Sequence, residues 1–183
     1  MKDESDSVMV VAGLMALSAR TAPKGRGLDS LVQRTAGPGD LPALAAEMDR
    51  LGEKYGLSFF LRDSGNILHS DACHLLGIRG QEPLGINCQG CGFRTCTEMV
   101  EACGAGDPGL SPFRGPNCVI KMADLGIAVG SAAKTAAIHN VDNRVMYSAG
   151  VAALSLEWLP GCMVAYGLPL KASGKNIFFD RHD

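Results

Sequence analysis

Aromatic side chains are scarce in this chain: one Trp, three Tyr and six Phe among 183 residues. Ten rings leave most of the interior to small and aliphatic side chains. An excess of one charge is also missing, since 17 Lys and Arg stand against 19 Asp and Glu for a net charge of −2 and a pI near 6.1. Such a balance offers no footprint for a phosphate backbone and argues against a nucleic-acid partner. Long apolar runs are lacking as well. The best of them, 118–138, is broken by Lys121, Asp124 and Lys134, too many charges for a membrane span of about 20 apolar residues. The opening Met1-Lys2-Asp3-Glu4-Ser5-Asp6 carries acids where a secretory signal has none. A reducing cytoplasm is the expected setting, with no membrane partner. Ser173-Gly174-Lys175 lacks the spacing of a nucleotide-binding P-loop.

Glycine and cysteine are plentiful by contrast. Glycine contributes 23 residues, about 13% against a usual 7% or so. Of seven cysteines, five (Cys88, Cys91, Cys96, Cys103 and Cys118) lie between positions 88 and 118. In a reducing compartment such clustering points to metal ligation or redox chemistry rather than a disulfide framework. The length suits one domain, 1–183.

Val8, Val11, Ala12, Met15 and Ala19 recur at helical spacing and predict a first helix over 7–19. Arg20, Lys24 and Arg26 then concentrate positive charge in a Pro- and Gly-containing loop, a candidate anion site. Asp40 to Gly56 predicts a second helix with Leu44, Met48, Leu51 and Tyr55 on one face. Leu57–Leu61 reads as a strand, 63–66 as a turn and Cys73–Ile78 as a buried strand. Periodicity stops between Gly80 and Pro116, which predicts an inserted module over 81–118. Two helices rich in Gly and Ala are expected at 119–139 and 143–156, and a strand at 162–166. Small residues on the first of these let a backbone or flat ligand approach closely. Asp142-Asn143-Arg144 reads as a turn that caps the second. The mixed order fits an α+β sheet packed with helices.

Within the module, Cys88, Cys91 and Cys96 have the spacing C-x2-C-x4-C, and Cys118 follows a Gly-Pro break. A tight loop plus one remote cysteine supplies the four thiolates that a 4Fe-4S cluster needs. Gly90 and Gly92 permit turns whose N–H groups face the sulfurs, and Arg94 and Lys121 are nearby cations. Zinc is the competitor, but its four-cysteine sites usually take two close pairs, and no histidine stands between His74 and His139. Cys103 sits on the short helical stretch after Cys96 and ranks below Cys118 as fourth ligand. Cys73 and Cys162 read as buried core residues. His69, His74 and His139 receive no catalytic role. Asp124 has a plain account as an acid near a helix N-terminus.

Ser18-Ala19-Arg20-Thr21-Ala22-Pro23-Lys24, Asn87-Cys88-x-x-Cys91-Gly92, Gly115-Pro116-Asn117-Cys118, Asn140-Val141-Asp142-Asn143-Arg144 and the stretch from Gly174 to Arg181 resemble, together, a prokaryotic family of ferredoxin-domain-containing proteins. The cysteine loop is also similar to small 4Fe-4S domains of corrinoid and electron-transfer proteins. The first helix with its Ala-Pro ending, the small-residue helix from Asp124 and the closing Val164–Pro169 are similar to FMN-dependent nitroreductases. That resemblance implies a nitroreductase-like sheet and a homodimer with FMN between subunits. Its phosphate would be held by Arg20 and Lys24, with Lys171 or Lys175 as the distal partner. The combined expectation is an iron-sulfur redox protein, as a flavin-dependent oxidoreductase relaying electrons between a 4Fe-4S cluster and FMN. Alternatives are an electron carrier or redox sensor serving a partner protein, and a zinc-stapled structural domain. No acid, base or nucleophile constellation identifies a substrate.

Overall fold

The apolar stripe of the first segment buries Val8, Val11, Ala12, Met15 and Ala19 and forms α1, Glu4–Thr21. A computed structural model describes residues 4–103 and 112–179. After a 3-10 turn at Gly25–Gly27, the order is β1 (Leu31–Ala36), α2 (Leu41–Tyr55), α3 (Phe59–Leu68), β2 (Ala72–Ile78), α4 (Cys96–Ala102), α5 (Val119–Ile138), β3 (Asp142–Asn143), α6 (Tyr147–Ser155) and β4 (Val164–Lys171). Gly56 ends α2 in the left-handed region at φ 66°, where a side chain would be strained.

The four strands form one antiparallel sheet in the order β1-β2-β4-β3. On one face α1 and α5 pack over Leu31, Ala72, Leu76, Ile78, Leu168 and Leu170. On the other, α2, α3 and α6 cover Ala36, Cys73, Leu75 and Ala165. Every residue of β2 is buried, His74 included, so the strand shows no in-out alternation, as fits one covered on both faces. The architecture is α+β, a sheet between two helical layers.

Small residues set how closely the layers approach. A Cβ at Gly150 of α6 would stand 2.0 Å from Ala165 O, and one at Gly167 would stand 2.6 Å from Ala149 Cβ. Only glycine lets α6 lie directly on β4. In α5, Ala128, Ala132 and Ala136 face α1 and the sheet, and Ser18 and Thr135 hydroxyls bridge the two helices at 2.6 Å.

Several elements depart from the sequence expectations. Residues 57–66 are not a strand and a turn: Phe60, Asp63, Ser64 and Ile67, at i, i+3, i+4 and i+7, form the buried stripe of α3. The apolar run Leu57–Leu61 masks that period, and polar Asp63 and Ser64 are buried because each has a partner. Ser148 donates to Asp63 Oδ2 at 2.7 Å and Ser64 donates to Asp49. β1 has no counterpart in the expectations, because Gln33-Arg34-Thr35 gives a half-buried edge strand little apolar signal. The helix expected from Asn143 begins at Tyr147. Its first residues instead form β3 and a clasp for the tail: Asn176 donates to Asp142 (3.0 Å) and Arg144 to Phe178 O (3.2 Å), while Phe178 is buried. β4 starts two residues later than expected and runs on to Lys171. The Asp180-Arg181 end of the family-like motif lies outside the described residues.

Candidate functional site

Between Gly85 and Gly92 the turns of the chain are written in the backbone. Asn87, Gln89 and Gly92 all have positive φ, at 49°, 60° and 87°. Gly92 N donates to Gln89 O at 2.9 Å and closes one of these turns. Side chains brace the turns. Asn87 accepts from Cys96 N at 2.8 Å, tying the first cysteine to the third. Thr95 caps α4 by accepting from Glu98 N, while Glu98 accepts from Arg94 N at 3.0 Å. Cys118 N donates to Gly80 O at 2.9 Å and closes the ends of the segment.

These constraints bring Cys88, Cys91, Cys96 and Cys118 to the wall of one cleft, together with Leu84, Ile86, Phe93, Met99 and Val119. A Cβ at Gly90 would stand 2.7 Å from Val119 Cγ1, so glycine is what lets the loop lie against α5. Cys88 is exposed, Cys91 and Cys96 half-buried and Cys118 buried. Cys118 occupies the N-cap position of the 20-residue α5. The thiols surround the cleft rather than meet at a point: among the described residues, no three Cys, His, Asp or Glu side chains stand together as a ready ion site. Four thiols on an apolar wall, one of them at a helix N-cap, match the donor chemistry of an anionic iron-sulfur cluster.

Cys103 is placed differently. Its thiol donates to Met99 O (3.3 Å) and Pro116 O (3.2 Å), and it faces a second groove beside Phe113 and Arg114. Burial raises its pKa. Cys73, inside β2, is pushed well above the usual thiol range by burial, and Cys162 is pushed up to about 11, chiefly by burial. His74 is fully buried on β2 between Thr35 and Gln33, and burial lowers its pKa to about 4.

The basic residues singled out from the sequence stand in two groups. Arg20 donates to Asp29 Oδ2 at 2.5 Å and to Leu31 O at 3.1 Å, and with the Gln33 amide oriented to donate to Ala16 O and His74 Nε2, its oxygen accepts from Arg20 Nε and Nη2 at 3.2 and 3.3 Å. Lys24 donates to the Arg20, Ala22 and Ala19 carbonyls at 2.5, 2.8 and 3.4 Å, neutralising the C-terminal end of α1. Lys171 binds Asp71 at 2.7 Å. Leu31 pairs with Ile78 and Ile78 with Val164, whereas Ala72 pairs with Leu170. Arg20 and Lys171 therefore stand at opposite ends of the strands, about 20 Å apart at 3.3 Å per residue. Within one chain these side chains do not form a phosphate cradle. Lys175 lies beyond β4, where its carbonyl accepts from Ser173 Oγ at 2.7 Å.

Spacing alone does not reveal the lining side chains Leu84, Met99 and Val119 or the brace from Asn87. Asn directly before a cysteine, in a glycine-rich loop, was the signal for the latter. No helix among the described residues is long and apolar enough to cross a membrane.

Comparison with known proteins places this geometry in context. Residues 114–181 match a family model described as "Uncharacterized protein containing a ferredoxin domain (DUF2148)". A protein of Archaeoglobus fulgidus, described as an "Uncharacterized protein", is 40% identical over 178 residues, which is 97% of this chain and 94% of that one. Among solved structures, a nitroreductase with bound FMN from Desulfitobacterium hafniense superimposes with a TM-score of 0.58 at 13% identity, covering 96% of this chain and 92% of its own. A nitroreductase family protein from Clostridium novyi gives a TM-score of 0.55 at 11% identity, covering 89% and 73%. The chain thus has the nitroreductase fold and belongs to one family with its Archaeoglobus relative, and its residues 114–181 match the model of the proteins described as containing a ferredoxin domain.

Proposed function

We propose that this protein is a cytoplasmic iron-sulfur redox protein in which Cys88, Cys91, Cys96 and Cys118 hold a 4Fe-4S cluster. In this reading, residues 81–118 are its cluster-bearing insertion. The observation that carries the reading is the shared wall of one cleft: the four thiols at the expected spacing line it, and Cys103 does not. A bound cluster supplies one-electron uptake and release. The chain's own part is to present thiolates at the loop and at the N-cap of α5, to exclude water with Leu84, Phe93 and Met99, and to leave Cys88 exposed as the point of contact with a redox partner.

A second reading adds FMN, held between two copies of the chain and collecting electrons from the cluster. It is supported by the fold shared with the FMN-bound nitroreductase and by an uncovered apolar face. Val10, Leu14 and Leu17 of α1 and Ile127 and Ile138 of α5 are exposed, and a helix apolar all round is normally buried. A homodimer covers that face. Because Arg20 and Lys24 lie far from Lys171, a phosphate touching both groups takes them from different copies, and each must leave its present partner.

The deciding measurement is the metal and flavin content of protein purified without oxygen. Iron and acid-labile sulfide in comparable amounts are expected. A colourless protein with stoichiometric zinc would overturn the redox reading in favour of a structural zinc site. Iron and sulfide without flavin, even after reconstitution with FMN, would leave the electron carrier and remove the flavoenzyme.

A further inference from the structure

One turn into α5 the sequence places a cation where helix physics disfavours it. Lys121 is the third residue of the helix after the N-cap Cys118, at the end whose dipole favours anions, and it is only 1% exposed. Residues three apart share a helix face, and helical side chains lean toward the N-terminus. Lys121 therefore stands one helical turn on from Cys118. Its ammonium donates to Leu28 O at 2.7 Å and stands 3.9 Å from Asp124 Oδ2. Asp124 is 3% exposed; its Oδ1 accepts from Gly25 N at 2.9 Å, and its Oδ2 has no hydrogen-bond partner. The two side chains are thus neighbours but not hydrogen-bonded to each other. The held loop leads to the cleft, because Gly25 packs on Leu84 and Arg26 donates to Leu84 O at 3.1 Å. A buried cation in an unfavourable position signals a local choice made for another purpose.

Building on the proposed cluster, we infer that Lys121 is a positioning residue that tunes it: a fixed buried charge one helical turn on from Cys118 favours the reduced, more negative cluster, and Asp124 sets how much of that charge the cluster feels. Nothing is transferred to Lys121 itself. A bound cluster would take one electron from a one-electron donor protein, which is oxidised in exchange, and the ammonium would stabilise the added charge through a medium of low dielectric.

Redox titration of anaerobically purified protein, followed by visible absorption and electron paramagnetic resonance, tests this. Lys121→Met is expected to lower the ratio of reduced to oxidised cluster at a fixed potential by roughly tenfold, a shift of about 59 mV for a one-electron couple. Asp124→Asn is expected to shift it the opposite way. Lys121→Arg is expected to retain the wild-type potential, as is Lys134→Met, which removes an exposed cation from the same helix. Unchanged potentials in Lys121→Met and Asp124→Asn, with iron content as in wild type, would overturn the inference. So would loss of the cluster from Lys121→Arg, which would mark the pair as purely structural. Absence of a cluster from the wild-type protein would instead overturn the cluster reading itself, so the two failures are distinguishable.

Discussion

At the scale of single residues, the chemistry is divided by where each cysteine sits rather than by how many there are. Cys118→Ser is expected to leave iron at background, because it removes the thiolate at the N-cap of α5, while Cys103→Ser keeps a full complement, since that thiol serves the Met99 and Pro116 carbonyls. Iron and sulfide analysis of the two variants side by side makes the comparison; the reverse pattern would exchange the fourth ligand. His74 makes a separate claim about pH. Its folded pKa of about 4 lies below its ordinary 6.5 because burial disfavours the cation, so the unfolded chain binds the proton first as pH falls. Stability is therefore expected to decline from pH 6.5 toward pH 4, by an amount on the order of 3 kcal/mol from this residue. Urea midpoints measured across that range should fall in the wild type and less in His74→Asn. An equal decline in both would refute the assignment.

At the scale of elements, periodicity was legible wherever a stripe was apolar and illegible wherever polar groups joined it. α1, α2 and α5 could be read because Leu, Met, Val and Ala recur at helical spacing. α3 could not, because its inward positions include Asp63 and Ser64, whose burial depends on Ser148 and Asp49 from other elements. Two glycines separate the helical and turn readings and the cost of close packing. Gly65 lies within α3 with open space around its missing side chain, so Gly65→Ala is expected to stabilise the fold by about 0.5–1 kcal/mol; destabilisation would restore the turn. Gly150→Ala drives a methyl into Ala165 O and is expected to lose about 1–3 kcal/mol through displacement of α6. Thermal melts of both variants provide the test.

At the scale of the whole molecule, the exposed apolar strip on α1 and α5 carries the prediction about assembly. Leu17 is 61% exposed and Val10 60%, so the double substitution Val10→Lys with Leu17→Lys removes apolar surface without disturbing the core. Wild-type protein is expected to elute as a dimer in light-scattering chromatography and this variant as a monomer of unchanged helical content. A monomeric wild type would remove both the homodimer and the shared flavin site. The same scale explains why the basic residues could not be paired from sequence. Arg20 and Lys24 belong to one end of the sheet and Lys171 to the other, and chain distance says nothing about which end a strand terminus reaches.

The sequence by itself determined that cysteines cluster with ligand spacing in a segment without periodicity, that α1, α2 and α5 are helices, and that β2 is buried, because each follows from local spacing and composition. Only the tertiary structure decided that Cys118 joins the other three in a cleft while Cys103 turns away, that Lys121 is buried in the first turn of α5, and that β1 and α3 exist. Those outcomes depend on contacts between residues far apart in the chain, where a polar group becomes buried or a thiol becomes a neighbour only once another element supplies its partner.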